Sequence, residues 1–156
     1  MTYEKNSEKY LSYKEAWTRI NKAIKAKFFL EAIVIEESIM SDRLISFLIR
    51  PGAKNKIKKG KYENWPPFNA LIDCWKKEFP NGIVGNEYKC LINEIDKWRV
   101  KRNNSVHAIV KSDPGMPTID VKVFLDRASK TAKQGKNLAR ALLNWHQHEI
   151  NRFNKL

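Results

Sequence analysis

The sequence predicts an all-α fold, a bundle of four to five helices that are mostly antiparallel. Apolar residues recur at steps of three and four through most of the chain, the period of one face of an α-helix. Proline and glycine clusters interrupt these stripes and mark short connections, which favour antiparallel neighbours. The one β-like fragment, residues 119–123, is short. Because no linker or long repeat is present, we interpret residues 1–156 as a single helical domain.

Two apolar stripes predict the first two helices. They consist of Tyr13, Trp17, Ile20 and Ile24, and of Phe29, Ile33, Met40, Leu44 and Phe47. The second helix must end before Pro51, because a proline inside a helix removes a hydrogen bond and clashes with the preceding turn. No glycine or proline separates the two stripes, so a single long helix with a bend is the alternative to two separate helices.

A lysine-rich connector and a short third helix follow. Residues 51–65 carry Lys54, Lys56, Lys58, Lys59 and Lys61, either as a solvated loop or as contacts for phosphates. Pro66 and Pro67 suit a helix start. The stripe of the third helix is Phe68, Leu71, Ile72, Trp75 and Phe79, and the turn residues 80–82 end it.

Two further apolar stripes predict the fourth and fifth helices. The fourth helix is predicted to begin near Asn86, a natural N-cap, and its stripe is Tyr88, Leu91, Ile95 and Trp98. The proline- and glycine-rich residues 113–117 break the chain. Asp120 is then placed to cap a long final helix, whose apolar face is Phe124, Ala128, Thr131, Gly135, Leu138, Leu142 and Trp145.

The charge balance is strongly positive. Thirty Lys and Arg residues against 17 Asp and Glu residues give a formal net charge of +13. Such a balance favours polyanionic partners, nucleic acid above all, although a lysine-rich soluble surface is the plain alternative. Cys74 and Cys90 form no zinc motif or disulfide framework, so a reducing cytoplasm is the simplest location. The most apolar run, residues 28–35, is too short to cross a membrane.

The stretch from Arg102 to His107 is the one candidate for chemistry. Glycine loops for phosphate, nucleophile elbows and metal-binding histidine patterns are absent from the sequence. Arg102 lies four residues after Trp98, on the apolar stripe, where an unpaired charge is costly and needs a carboxylate, a groove or a partner. Asn103 and His107 share a face, so the amide is placed to orient the imidazole. Arg102 and His107 lie about 140° apart on a continuous helix, so they flank a site without touching.

At these residues the sequence resembles the HEPN superfamily, whose ribonuclease members carry an Arg-x4-His motif, commonly with a polar residue such as Asn after the arginine. Here the motif reads RNNSVH, from Arg102 to His107. The family fold is a four- or five-helix bundle with the motif in a late helix, followed by a long amphipathic helix. The predicted helices of the present chain resemble this layout over most of the chain's length.

The resemblance implies a metal-independent endoribonuclease that cleaves single-stranded or loop RNA, works as a homodimer with both motifs in one cleft, and needs no cofactor. His107 is suited to move a proton to or from the 2′-hydroxyl or the leaving 5′-oxygen. Arg102 is suited to clamp the scissile phosphate, and Asn103 to position the histidine or the phosphate. The family also implies a toxin–antitoxin or antiviral defence role, with an antitoxin or defence-system protein as partner.

Several further residues are weaker candidates. Glu36 lies on the apolar stripe of the second helix, as an acidic support for Arg102 or in a salt bridge to another arginine. Arg99 and Lys101 flank the motif as RNA-phosphate contacts or as solvated charges. Trp98 suits base stacking, but its stripe position favours the core or a dimer interface. His146 and His148, near the end of the last helix, suit the helix dipole.

One departure from the family concerns the partner. HEPN toxins paired with nucleotidyltransferase antitoxins often have a tyrosine two residues after the motif histidine, and here that residue is Ile109. Modification by such a partner is therefore doubtful. Two readings remain as alternatives to a ribonuclease: a non-catalytic basic helical module that binds nucleic acid or a protein, and a phage or plasmid structural protein with an accidental motif.

Overall fold

Five α-helices make up the fold, in a computed structural model that describes residues 3–50, 57, 65–83, 85 and 87–155. They are α1 (Tyr3–Lys25), α2 (Phe29–Leu48), α3 (Phe68–Glu78), α4 (Leu91–Ala108) and α5 (Val121–Asn154). The described residues contain no strand, and the prediction of an all-α bundle is confirmed. None of the described helices combines the length and apolar character that a membrane span requires.

The core lies where α2, α3 and α4 pack around the long α5. Trp75, Trp98 and Trp145 are fully buried in it, from α3, α4 and α5 respectively. The Trp145 ring lies 4.7 Å from the Phe47 ring and 5.1 Å from the Trp75 ring, measured between centroids. Such tilted aromatic packing adds to the free energy gained by burying large apolar surfaces. The helix of the motif, α4, packs against α5, α3 and α2.

The first two apolar stripes form two separate helices, not one bent helix. Lys27 adopts a left-handed backbone with φ of 64°. The amide of Phe28 donates to the Ala23 carbonyl at 2.8 Å, and the amide of Lys27 donates to the Ile24 carbonyl at 3.1 Å. These two bonds form a Schellman motif, which ends a helix and most often uses glycine at the left-handed position. The break could not be predicted from the residue types, because lysine occupies that position.

The start of α4 differs from the prediction. The helix begins at Leu91 with Cys90 as the N-cap residue, and Tyr88 lies in the preceding turn. Asn86, the predicted N-cap, lies outside the described residues, as do the lysines predicted for the connector before Trp65.

The start of α5 is as predicted. The Asp120 side chain accepts hydrogen bonds from the backbone amides of Lys122 at 2.8 Å and Val123 at 3.2 Å. This confirms Asp120 as the N-cap, since its carboxylate satisfies amides that have no partner within the helix. The β-like fragment at 119–123 is instead the approach to this cap and the first turn of α5.

Candidate functional site

The motif helix is anchored by its apolar stripe. Leu91, Ile95 and Trp98 are buried, and the Trp98 indole donates a hydrogen bond of 2.9 Å to the Thr131 carbonyl of α5. A tryptophan with no exposed surface is not available to stack on a base, so Trp98 belongs to the core. The helix continues without a break from this buried segment through Arg102 and His107 to Ala108.

The Arg102 guanidinium has two partners. Its Nε forms an ion pair with Glu37 of α2, and its Nη1 donates to the Asn103 side-chain oxygen at 2.7 Å. The Arg102 and Glu37 side chains are 25% and 20% exposed, but the two paired atoms, Arg102 Nε and Glu37 Oε2, are themselves buried. Burial raises the pKa of the Glu37 carboxyl, and the positive charge of Arg102 opposes that rise. The arginine is thus held in one orientation at the surface of the bundle.

A cleft of about 450 Å³ opens beside Arg102, between α2, the start of α3 and α4. Its lining residues are Glu37, Pro67, Phe68, Asn69, Arg99, Arg102 and Asn103. Phe68 packs edge-on against Trp98 with ring centroids 6.4 Å apart, which holds the start of α3 beside α4. Arg99 pairs with Asp96 at 3.0 Å, and Asp96 also pairs with Lys76 at 2.5 Å. Two guanidinium groups and one carboxylate line the cleft, so an anion that entered it would compete with Glu37 for Arg102.

Glu36 does not support Arg102. Its side chain is fully buried, and its Oε2 lies 2.1 Å from the position that a Cβ on Gly135 would take. Neither of its carboxyl oxygens has a hydrogen-bond partner in the described part of the chain. Burial raises its pKa to about 9, although the charge of Lys136 lowers it. The prediction of Glu36 as the acidic support is therefore wrong, and the carboxylate that pairs with Arg102 is the next residue, Glu37.

His107 lies apart from the cleft. The imidazole is exposed, and its Nδ1 lies 3.4 Å from the Lys111 ammonium nitrogen. Among the contacts of the described residues, Asn103 meets Arg102 and not His107, so the predicted orientation of the imidazole by the amide is absent. Asn103 instead orients the Arg102 guanidinium.

Lys101 also points elsewhere. Its ammonium donates to the Gln134 side chain of α5 at 3.2 Å, on the side of α4 opposite to the cleft. Of the predicted site residues, the structure gathers Arg99, Arg102 and Asn103 in the cleft, with Glu37 and Asn69 as members that the sequence did not indicate. The spacing of apolar residues along α2 does not show which of the adjacent residues Glu36 and Glu37 meets Arg102. That depends on how α2 packs against α4.

The histidines of the last helix have separate environments. His146 is buried and its pKa is lowered to about 4, by burial first and then by the nearby charge of Arg43. His148 is exposed. Among the described residues, no three His, Cys, Asp or Glu side chains converge as metal ligands would.

Comparison with known proteins returned no match to a protein-family model, a curated protein or a solved structure.

Proposed function

We propose that the protein is a metal-independent endoribonuclease of the HEPN type that cleaves single-stranded or loop RNA. The observation that carries the proposal is the Arg102 guanidinium, held at the mouth of the cleft by Glu37 and Asn103 on the helix that also bears His107. A net charge of +13 supports a polyanionic substrate, because phosphate contacts release counterions.

The chemistry needs only the groups on this chain and the RNA itself. The 2′-hydroxyl attacks the adjacent phosphorus as its proton passes to a base, and the bond to the 5′-oxygen breaks as that oxygen gains a proton. The products are a 2′,3′-cyclic phosphate and a 5′-hydroxyl. His107, exposed and free to approach a strand, acts in one of these proton transfers. Arg102 stabilises the charge that builds on the phosphate oxygens.

A homodimer completes the proposed site. Arg102 and His107 are about 140° apart around α4, so one copy presents them to different sides. Two copies of α4 related by a twofold axis bring the arginine of one and the histidine of the other into one cleft. A groove beside the end of α4 contains the exposed apolar side chains of Phe28, Ile109 and Leu125, a surface suited to such a contact.

The biological setting follows from the resemblance to HEPN proteins alone. It favours a toxin–antitoxin or antiviral defence role, with an antitoxin or other defence-system protein restraining the activity. Ile109 stands where many nucleotidyltransferase-controlled toxins carry tyrosine, which favours restraint by a protein contact over modification.

A second function has its own support. Glu37 already neutralises Arg102, and His107 lies outside the Arg102 cleft in the single chain. A non-catalytic module that binds nucleic acid or a protein partner through its basic surface would have the same arrangement.

Cleavage of an unstructured RNA in excess EDTA separates the two functions. We expect the wild-type protein to produce 2′,3′-cyclic phosphate ends, and the His107→Ala and Arg102→Ala variants to lose at least about 100-fold in rate. His148→Ala is the matched control, an exposed histidine on α5, and should retain full activity. An RNA with a single 2′-deoxy residue at the cleaved position should resist.

Two results would overturn the ribonuclease proposal. One is the absence of cleavage by the wild-type protein, and the other is equal cleavage by the wild type and both motif variants. Salt-sensitive RNA binding without cleavage would favour the binding module. A monomeric mass in solution at the concentration at which RNA is cleaved would overturn the shared cleft.

A further inference from the structure

A second pocket lies on the other side of the motif helix, between α4 and α5. Its volume is about 420 Å³, within the range of small-ligand sites. Ala108, Ile119 and Phe124 form the apolar part of its lining, and the remaining lining residues are Lys101, Asn104, Ser105, Arg127, Lys130 and Thr131. None of these lining residues is acidic, and three are cationic. The pocket therefore combines an apolar surface with positive charge.

The cations of this pocket remain available to a ligand. Among the described residues, Lys130 pairs with the exposed Asp126 at 3.1 Å, and such exposed ion pairs contribute little. Lys101 is bound to a neutral amide, Gln134, at 3.2 Å. Arg127 is exposed and has no ion pair within the described part of the chain. The charge of the pocket thus complements the phosphates of a polyanion.

The polar groups inside the pocket suit the edge of a nucleobase. Ser105 and Thr131 are buried, and the Ser105 hydroxyl donates a hydrogen bond of 3.4 Å to the Thr131 hydroxyl oxygen. The Thr131 hydroxyl donates to the Arg127 carbonyl at 2.9 Å, and after the bond from Ser105 its oxygen has one lone pair left to accept a hydrogen bond. The Asn104 amide at the pocket supplies both donors and an acceptor.

Helix geometry relates this pocket to the Arg102 cleft. Arg99, Arg102 and Asn103 line the cleft, whereas Lys101, Asn104, Ser105 and Ala108 line the pocket. His107 lies between the two sets, about 40° around α4 from Asn103 and about 60° from Asn104. A strand that occupied both depressions would cross the exposed face of α4 at His107.

We propose that this pocket binds one nucleotide of the single-stranded RNA substrate next to the cleaved phosphate. The base lies against Ala108 and Phe124, its edge meets Asn104, Ser105 and Thr131, and its flanking phosphates meet Lys101 and Arg127. The identity of the ligand as RNA rests on the proposed function. The pocket itself rests on its volume, its lining and its charge, which also fit a free nucleotide.

Binding of an uncleavable RNA tests the pocket without relying on catalysis. The probe is a 2′-O-methyl single-stranded oligonucleotide, and fluorescence anisotropy gives its Kd over a range of salt concentrations. Arg127→Ala should raise Kd about three- to tenfold and lower the slope of log Kd against log salt by about 0.7, the value for one phosphate contact on a single strand. Lys133→Ala, which removes an exposed cation of α5 outside the pocket, is the matched control.

A second pair of measurements tests the base. The wild-type protein should bind an abasic 2′-O-methyl oligonucleotide about tenfold more weakly than the intact one, the value for one stacked base. Ala108→Leu, which fills the apolar part of the pocket, should abolish that difference while Arg127→Ala preserves it. Competition with free adenosine monophosphate separates an RNA strand from a free nucleotide as the ligand. Inhibition of oligonucleotide binding only at concentrations well above that of the oligonucleotide supports a strand site. Equal affinity for adenosine monophosphate and for the oligonucleotide overturns it.

The outcomes distinguish this inference from the ribonuclease proposal. Equal Kd values for Arg127→Ala and Lys133→Ala, or equal binding of abasic and intact probes, would overturn the pocket even if the protein cleaves RNA. The absence of any binding by the wild type would overturn it as well. The expected shifts in a protein that does not cleave would support the pocket and overturn the catalytic proposal.

Discussion

The Glu37 carboxylate of α2 and the Arg102 guanidinium of α4 form an ion pair at the mouth of the cleft. Both side chains are about three-quarters buried or more, so the pair is less screened than a surface salt bridge. The pair fixes the arginine but also occupies the face that a phosphate needs. An incoming phosphate must therefore share Arg102 with Glu37 or displace that carboxylate.

This arrangement predicts a divided effect for Glu37→Gln. Loss of the carboxylate charge should leave KM for RNA unchanged or lower, because a competitor for Arg102 is gone. The rate constant kcat should fall about tenfold, because the guanidinium is less well positioned. Steady-state kinetics measure both constants, and Glu94→Gln, an exposed carboxylate of α4 outside the cleft, is the control. A lower kcat in both variants, or a raised KM in Glu37→Gln alone, would contradict the assigned role.

Gly135 should not tolerate a side chain. A Cβ there would lie 2.1 Å from Glu36 Oε2 and 2.7 Å from Trp98 Cζ2, and both of those side chains are fully buried. Gly135→Ala should lower the free energy of unfolding by about 1–3 kcal/mol, the range for overpacked cores, despite the better helix propensity of alanine. Urea denaturation measures the change, and Asn137→Ala serves as the exposed control. A stability at or above that of the wild type would show that α5 can move away from α4 at little cost.

Glu36 should make the fold less stable as the pH rises. Burial raises its pKa from the ordinary value of 4.5 to about 9, so the folded chain retains a proton that the unfolded chain releases above pH 4.5. The free energy of unfolding therefore falls between about pH 4.5 and pH 9, by up to about 1.4 kcal/mol per pH unit from this group. Glu36→Gln should remove that slope. Urea midpoints at pH 5, 7 and 8.5 give the test, and parallel pH profiles for the two proteins would contradict it.

His146 should have the opposite effect. Its pKa is lowered to about 4 from 6.5, so the unfolded chain binds a proton that the folded chain excludes. The contribution of His146 to the free energy of unfolding is fully present above about pH 6.5 and is lost as the pH falls towards 4. His146→Gln should flatten the acid side of the pH profile, whereas His148→Gln, an exposed neighbour, should leave it unchanged. Equal acid sensitivity in all three proteins would contradict the prediction.

The apolar periodicity of the sequence was sufficient for the fold class. Stripes at steps of three and four predicted the helices, because only an α-helix places such residues on one face. Asp120 predicted the start of α5 for a local reason, since an N-cap acts on amides two and three residues away. The break after α1 was not predictable, because its left-handed residue is Lys27 and carries no glycine signal.

Some features of the candidate site could likewise be predicted from the sequence, and others depended on the tertiary structure. The spacing of Arg102, Asn103 and His107 fixes their angles around a helix, and the sequence alone determined that the arginine and the histidine point to different sides. Only the tertiary structure decided that Glu37 and not Glu36 meets Arg102, that Asn103 turns to the arginine, and that a second pocket opens towards α5. Periodicity defines one helix about its own axis, whereas contacts between helices depend on how each is rotated and packed against the others.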